Sequence, residues 1–386
     1  MADSSGRLDT VTVALLDSVD LGRAFTPVTD GERLLFRNLL DNLVRLDCEA
    51  RPRPGLAESW AVDRKHNAWE LTLRSDASFL GGGREDAEHA ASIFHSTPYI
   101  DGLTSEPLGF DSAAAIDSRR LRVYMSGPIT DSIPRFLADP SLIANDGLAS
   151  QPGPGEQHWF ISPPGERPVI DMLSPLLRDP RDALDQEVDL VLARDPALVD
   201  YVSGRTEFAT FPLPWSRTYV LIEPADGQSL EPMVGGASVR RSLAGDAVRA
   251  AARVAEPPYW WTNYGACQSG AARQSAVSGT NLVYPRDDEV ARGLAQRIVA
   301  LAPAGSGLRA RGLAPADFEL AIRRGTERAY VVSVPRQSLA PCRDGAFLPI
   351  GARVVPLIDT RAFAIVRKGV PPLLVEWDGT LRIVNR

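Results

Sequence analysis

Residues 40–79 read LDNLVRLDCEARPRPGLAESWAVDRKHNAWELTLRSDASF, and three physical signals follow one another in them. Upstream and into this stretch, Leu34, Leu35, Leu39, Leu43 and Leu46 recur at three- and four-residue spacings. That spacing puts apolar side chains on one helical face and predicts a surface helix from Gly31 to Asp47, packed on a core. Pro52 and Pro54 stop the helix, and Gly55 supplies the freedom a turn needs before Leu56, Ala57, Glu58, Ser59 and Trp60 restart order. From Trp69 the period becomes two. Trp69, Leu71 and Leu73 fall on one face and Glu70, Thr72 and Arg74 on the other, the pattern of a half-buried strand.

This order of apolar helix, Pro-Gly-Leu-Ala-Glu-x-Trp turn, acidic Asp63 and Trp-x-Leu-x-Leu-Arg strand running to Phe79 resembles bacterial extracellular solute-binding proteins of family 5, the peptide, nickel and opine receptors of ABC importers. The similarity is concentrated between Leu34 and Phe79. Weaker echoes follow in Val188-Asp189-Leu190-Val191, in Pro214-Trp215-Ser216-Arg217-Thr218-Tyr219 and in Leu282-Val283-Tyr284-Pro285. The resemblance implies an α/β, two-lobed periplasmic-binding-protein-like fold of type II, cluster C kind, with a hinge between the lobes and an additional small early subdomain. On that basis residues 1–220 form the first lobe, with a subdomain over about 45–170. Residues 221–353 form the second lobe, and 354–386 return to the first.

Bulk composition is ordinary for a soluble globular protein and disfavours some classes. A chain of 386 residues is long enough for two or three lobes that each bury a core. Its formal net charge of -7, with no basic block to offset it, disfavours nucleic acid as a partner. No run of about 18 apolar residues is present to span a membrane. The start, Met1 to Thr10, lacks the basic-then-apolar order of a secretory signal. Because members of the resembled family are exported, the expectation is a periplasmic or extracellular protein whose leader, with or without a lipid anchor, has been removed; a cytoplasmic protein is the alternative. Three cysteines, Cys48, Cys267 and Cys342, leave at least one without an internal partner. In an exported chain Cys267 and Cys342, both in loop-like sequence, would pair; otherwise all three are separate thiols.

Further along, Val11 to Leu16 reads as a first core strand, and Asp17 to Thr29 as a loop that borders the ligand cleft in the resembled family. Phe25, in that loop, is a candidate ligand contact. Arg84 to His95 reads as a helix with Glu85 and Asp86 at its start, where the dipole favours negative charge. Leu121, Val123 and Met125 mark a strand, and Gln151 to Pro168, rich in proline and glycine, an irregular connector. In the later part, short apolar runs at Val188–Ala193, Tyr219–Ile222 and Ala329–Val334 alternate with two helices. One is capped by Asp287 or Asp288 with a stripe of Val290, Leu294, Ile298 and Leu301; the other starts at Pro315 and ends by Gly325. Strand, helix, strand order is that of an α/β domain. The alternation of Phe363 and Ile365, then Leu381 and Ile383, suggests strands returning to the first lobe.

No catalytic or metal constellation emerges. His89 and His95 sit about 120° apart around a helix, which is wrong for a shared metal, and His66 and His158 stand alone. No Gly-x-Ser-x-Gly elbow occurs, so a hydrolase is a poor third reading. Gly81-Gly82-Gly83 lacks the Lys-Ser/Thr that would make it a phosphate cradle and is read as a structural loop. No cofactor is implied. The aromatic residues are more informative. Trp260, Trp261 and Tyr264 crowd a proline-bounded loop, and Trp215, Arg217 and Tyr219 sit at the apparent crossover between lobes. Rings of this kind can wall a cleft while a guanidinium takes a carboxylate, although each can equally fill a core. Peptide-binding members of the family follow the late buried strand with an acidic loop that holds the ligand's ammonium group. Here the strand runs into Pro335-Arg336-Gln337-Ser338, and Asp344 is the nearest acidic candidate.

The resemblance thus implies a solute-binding protein without catalysis, expected to work as a monomer, that delivers a small molecule or short peptide trapped by lobe closure to an ABC importer permease. The alternative is a ligand-sensing module of the same fold with no role in transport.

Overall fold

In the computed structural model the helix expected from Gly31 begins at Asp30 on a reciprocal cap: Thr29 Oγ1 accepts from the Glu32 amide at 3.1 Å, and the Glu32 carboxylate accepts from the Thr29 amide at 3.2 Å. It is shorter and deeper than the leucine spacing suggests. The helix spans Asp30–Leu39 and buries even Glu32, Arg37 and Asn38. At Leu40 the backbone turns extended, and Leu40–Asn42 and Val44–Leu46 are strands paired with Ile143–Asn145 and Pro52–Pro54. Leu43 and Val44 are thereby drawn into the core of a neighbouring sheet, where a continuing helix could not have placed both. The structure describes residues 10–17, 19–23, 27, 29–75, 86–96, 109–138, 143–145, 148–149, 157–162, 168–174, 179–185, 188–224, 229–248, 251–262, 280–339 and 341–384. Among these, no helix is long and apolar enough to cross a membrane.

The chain divides into two compact units. The first comprises Met1–Ala193, Ala197–Pro214 and Phe363–Arg386, and the second Arg194–Pro196 and Trp215–Ala362. The chain passes between the units at Ala193/Arg194, Pro196/Ala197, Pro214/Trp215 and Ala362/Phe363. The reason for the last two is visible in the sheet: strands Arg217–Glu223 and Arg353–Thr360 pair antiparallel from Arg217 opposite Thr360 to Glu223 opposite Arg353, so both belong to one body.

In the first unit, a seven-stranded mixed sheet runs in the order Leu148–Ala149, Gln157–Ser162, Val169–Ser174, Thr10–Ala14, Leu190–Ala193, Phe363–Arg367, Phe208–Pro212. The strand Gln157–Ser162 corrects the irregular connector expected over Gln151 to Pro168. Its prolines and glycines flank an alternating run in which Trp159 and Ile161 are buried and Phe160 is exposed, so the composition of the whole window conceals a strand within it. The early subdomain is a four-stranded antiparallel sheet, Ala57–Asp63, Ala68–Leu73, Arg120–Met125 and Phe110–Ala115, covered by the helix Ala87–Ser96. Trp69, Leu71 and Leu73 face its core with Phe94, Phe110 and Phe136, as the period of two predicts. Asp86 accepts from the His89 amide at 2.9 Å, which places an acidic group at the helix start. The Gly81-Gly82-Gly83 turn and Phe79 lie outside the described residues.

A second structural feature of the first unit is absent from any sequence spacing. The C-terminal hairpin, Leu373–Val375 with Leu381–Ile383, is clipped to the helix Asp30–Leu39. Asn38 donates to Leu381 O at 3.0 Å and accepts from the Ile383 amide at 2.9 Å. Beside it Arg382, 1% exposed, donates through Nε to Glu376 at 3.0 Å and through Nη1 to Leu40 O at 3.3 Å, with Asp41 3.7 Å away. Arg37 pairs with Glu376 at 3.2 Å and Asp378 at 3.0 Å, while Asp41 is also held by Arg45 and, at 3.9 Å, Arg74. Burial alone would raise the Asp41 pKa. The Arg45, Arg382 and Arg74 guanidiniums outweigh it and hold the carboxyl well below the ordinary carboxylate range.

The second unit is a six-stranded sheet in the order Ala252–Val254, Arg353–Thr360, Arg217–Glu223, Ala329–Pro335, Asn281–Pro285, Arg309–Leu313. Side chains alternate between two cores. Tyr219, Leu221, Leu282 and Val331 face the helices Ala237–Val248 and Glu289–Leu301, while Val220, Ile222, Val283 and Tyr330 face the helix Pro315–Arg324 and the Tyr259–Trp261 segment. Asp288 caps the helix Glu289–Leu301 by accepting from the Ala291 amide at 2.9 Å. Leu294 and Ile298 are buried on it as the stripe predicts, joined by Ala291 and Ala295, whereas Leu301 is exposed. Gly325, at φ 61°, closes the helix that Pro315 opens.

Candidate ligand site

Backbone pairing gathers four strand ends at one end of the second unit's sheet. Arg217 lies opposite both Pro335 and Thr360, and Ala252 opposite Thr360. Trp215 and Ser216 precede the first of these strands, Arg336 and Arg361 follow two others, and Arg253 is the second residue of the fourth. The unit's boundaries at Trp215 and Ala362 fall at this same end.

Trp215 is half-buried, and two guanidiniums lie over its ring, Arg361 at 4.4 Å and Arg253 at 4.7 Å from the centroid. Cation–π contacts of this kind contribute about 0.5–1 kcal/mol each where solvent reaches them. Beneath them Asp359, fully buried, takes four donors: Thr218 Oγ1 at 2.7 Å, Arg253 Nη2 at 3.2 Å, Arg336 Nε at 3.3 Å and the Glu256 amide at 3.3 Å. Arg336 spends its remaining donors on backbone, the Pro258 carbonyl at 2.6 Å and the Glu256 carbonyl. It therefore braces the segment 256–258 against the end of the strand Ala329–Pro335.

That brace carries the aromatic segment. Tyr259 stacks on Trp261, centroids 4.7 Å apart, and Trp260 meets Trp261 edge-on at 5.5 Å. Trp261 is buried in the core with Phe318 and Tyr330, so it is a packing residue. Trp260 is less enclosed, but its indole Nε1 donates to Pro335 O at 2.8 Å. Burial pushes the Tyr259 hydroxyl pKa up, and the Asp359 charge adds to it.

Arg217 donates to the Ser333 hydroxyl and, at 3.2 Å, to the Ser333 carbonyl across the strand pair. Arg194 reaches Ser216 Oγ at 3.2 Å and Thr360 Oγ1 at 3.4 Å. Tyr219 is a core residue. Its ring is 5% exposed and its hydroxyl donates to the Asp288 carboxylate at 3.0 Å; burial, and then the Asp288 charge, drive its pKa far up. Asp344, in the short helix Pro341–Asp344, accepts from Ser338 Oγ at 2.8 Å. Phe25, Tyr264 and Cys267 lie outside the described residues. Cys342 is disulfide-bonded, and Cys48 is an exposed free thiol.

Of the candidates taken from sequence, the fold brings Trp215, Arg217 and Trp260 to one sheet end and commits Tyr219 and Trp261 to cores. Arg253, Arg336, Asp359 and Arg361, which complete the cluster, carry no mutual spacing in sequence; only the fused signal of Pro257-Pro258-Tyr259-Trp260-Trp261 hinted at their neighbourhood. Among the described residues no group of three or more His, Cys, Asp or Glu is placed to hold a metal ion. His66 and His158 are instead hydrogen-bonded to Asp63 and Asp171.

No protein-family model matches the chain, and no curated protein matches it in sequence. Solved structures do match, and along the whole length. The PBP AgaA from A. tumefaciens R10, in complex with agropinic acid, superposes with a TM-score of 0.69 at 12% identity, covering 98% of this chain and 99% of that one. NikZ from Campylobacter jejuni, in complex with Ni(L-His), gives 0.67 at 11% identity over 97% of both chains. The Escherichia coli murein tripeptide binding protein MppA gives 0.66 at 11% identity over 98% and 99%. The two α/β units, the early four-stranded sheet and the returning C-terminal strands are therefore the periplasmic-binding-protein fold, retained where sequence similarity has almost vanished.

Proposed function

We propose that this chain is a solute-binding protein, working outside the cytoplasm as a monomer, that captures a small molecule or short peptide and delivers it to an ABC importer in the membrane. The observation that carries the reading is likeness over the entire chain, rather than over one unit, to proteins solved with small ligands such as Ni(L-His) and agropinic acid. A fold alone does not fix function. The second unit adds chemistry suited to binding and not to turnover: aromatic rings with guanidiniums over them, a buried carboxylate saturated by donors, and hydroxyls engaged in structural bonds.

Lobe closure, which the family resemblance implies, is the trapping step. Ligand then stabilises the native state by mass action, by about 2.7 kcal/mol at a hundredfold excess over Kd. A metabolite and peptide panel read by thermal unfolding, followed by small-angle scattering of the hits, tests this. A raised melting temperature with a smaller radius of gyration is expected. A panel with no stabilising compound and no compaction would remove the proposal.

A further inference from the structure

Three of the chain's passages between the units leave the first unit side by side. In its seven-stranded sheet Ala193 lies opposite Phe363, and Phe363 opposite Pro212, so the passages at Ala193/Arg194, Pro214/Trp215 and Ala362/Phe363 begin from one row of strand ends. Within the second unit they continue from residues that are again neighbours: Arg217 lies opposite Thr360, and the Ser216 amide donates to the Thr360 carbonyl at 3.1 Å. Few torsions remain free between these two rows. Pro196, Pro212 and Pro214 fix φ beside the passages, which leaves the freedom to turn mainly in Arg194, Asp195, Trp215, Ser216 and Arg361.

One guanidinium joins the three passages. Arg194 Nη2 donates to Ser216 Oγ at 3.2 Å and its Nη1 to Thr360 Oγ1 at 3.4 Å. Ala193, the residue before it, is held in the first unit's ladder, so a turn of that ladder pulls on a side chain held by the second unit. We propose that Arg194 is a hinge clamp, a positioning residue that holds the units in one setting and yields when they move; this rests on the solute-binding reading above. Both acceptors are neutral hydroxyls at long hydrogen-bond distances, a tie that favours one setting without locking it. On release the half-buried guanidinium gains water, whereas the Thr360 hydroxyl, on a residue 3% exposed, loses a buried donor.

The test follows the distance between the units in the full chain, without ligand, by single-molecule energy transfer. One dye goes on Cys48, the exposed free thiol of the first unit, and the other on p-azidophenylalanine in place of Gln296, exposed on the second unit's helix Glu289–Leu301. R194Q should raise the population of a minor distance state by about tenfold or more, since hydrogen bonds from a charged donor are lost. Ser216→Ala combined with Thr360→Val removes both acceptor hydroxyls, leaves Arg194 in place and should reproduce the shift. R194Q added to that pair should shift it no further, because all three act through one contact. A minor state within about twofold of wild type in R194Q, or an R194Q effect that adds in full to that of the acceptor pair, would overturn the clamp. If R194Q unfolds too readily to be measured, the acceptor pair decides alone, its shift supporting the clamp and an unmoved distribution overturning it. A wild-type chain that responds to compounds of the metabolite and peptide panel beside an R194Q chain that matches it removes only the clamp. A wild-type distribution that responds to no compound removes the receptor reading, and this proposal with it.

Discussion

The Asp41 network of the first unit and the Asp359 cluster of the second both set arginines against a fully buried carboxylate, yet they differ in where the arginines end. Arg382 and Arg37 are buried with their acids, at 1% and 4% side-chain exposure, and join an N-terminal helix to a C-terminal hairpin more than 330 residues away in sequence. Arg253 is 33% exposed and leans on an indole that solvent also reaches. A sealed ionic network specifies scaffold, because each partner is costly to remove and none is available to anything else. An anchored but accessible one has its geometry fixed from below while part of its surface meets solvent. The same residue types therefore form a closed network in one unit and a partly solvent-exposed one in the other, according to burial.

Breaking the sealed side should cost most. Arg382→Met strips one buried guanidinium from both Glu376 and Asp41, leaving them to Arg37 and Arg45, and should destabilise the protein by about 3–5 kcal/mol, read as a lowered denaturant midpoint of the first unfolding transition. A loss under about 1 kcal/mol would show that water enters the network and that the two regions are not distinct in kind. The same carboxylate sets a pH limb. Because the Asp41 pKa is depressed on folding, its contribution is present above the ordinary carboxylate value near 4 and is lost as pH falls toward the folded value. Asp41→Asn, although less stable at neutral pH, should lose stability less steeply below about pH 4 than the wild-type chain. An unchanged acid slope would assign that limb to other carboxylates.

These two regions also show what sequence could and could not convey. Periodicity exposed the strand at Trp69, the capped helix after Asp288 and the Pro315-to-Gly325 helix, because each is decided by neighbours within a few residues. The end of the first helix was not legible. Leu43 and Leu46 continue the helical spacing, but Asp41, Arg45 and Arg382 meet only once the hairpin has docked, and that tertiary gain outweighs local pattern. The strand Gln157–Ser162 was concealed by its flanking prolines. At the candidate site, Trp215 and Arg217 could be singled out by their place at the apparent crossover between lobes, whereas Arg253, Asp359 and Arg361 look like ordinary surface charges until pairing of four strands brings them together.

The accessible side should yield more easily. Asp359→Asn removes an anionic partner of Arg253 and Arg336, but Arg253 can turn toward water and Arg336 keeps the Pro258 and Glu256 carbonyls, so a cost of about 1–3 kcal/mol is expected in the unfolding of the second unit. Its sharper consequence is geometric: without Asp359, Arg253 is no longer fixed over Trp215, and indole fluorescence should respond to substitution even where stability barely does. A penalty as large as that of Arg382→Met would mean that the cluster is as closed as the first unit's network, and the contrast would fail.

The smallest expected effect separates packing from polarity within the second unit. Tyr219 buries its ring among Leu221, Leu294 and Leu357, while its hydroxyl meets the Asp288 carboxylate at 3.0 and 3.1 Å. Tyr219→Phe keeps the ring and deletes the donor. Asp288 retains the Ala291 amide at 2.9 Å and the helix N-terminus, so it is left neither unpaired nor far from positive potential. The loss should be about 0.5–1.5 kcal/mol, with ligand affinity unchanged, because this residue, once a candidate for the site by its position at the crossover, points into the core. Calorimetry and unfolding of the same variant decide the point together: altered affinity at unaltered stability would return Tyr219 to the ligand and move the boundary between scaffold and site one strand inward.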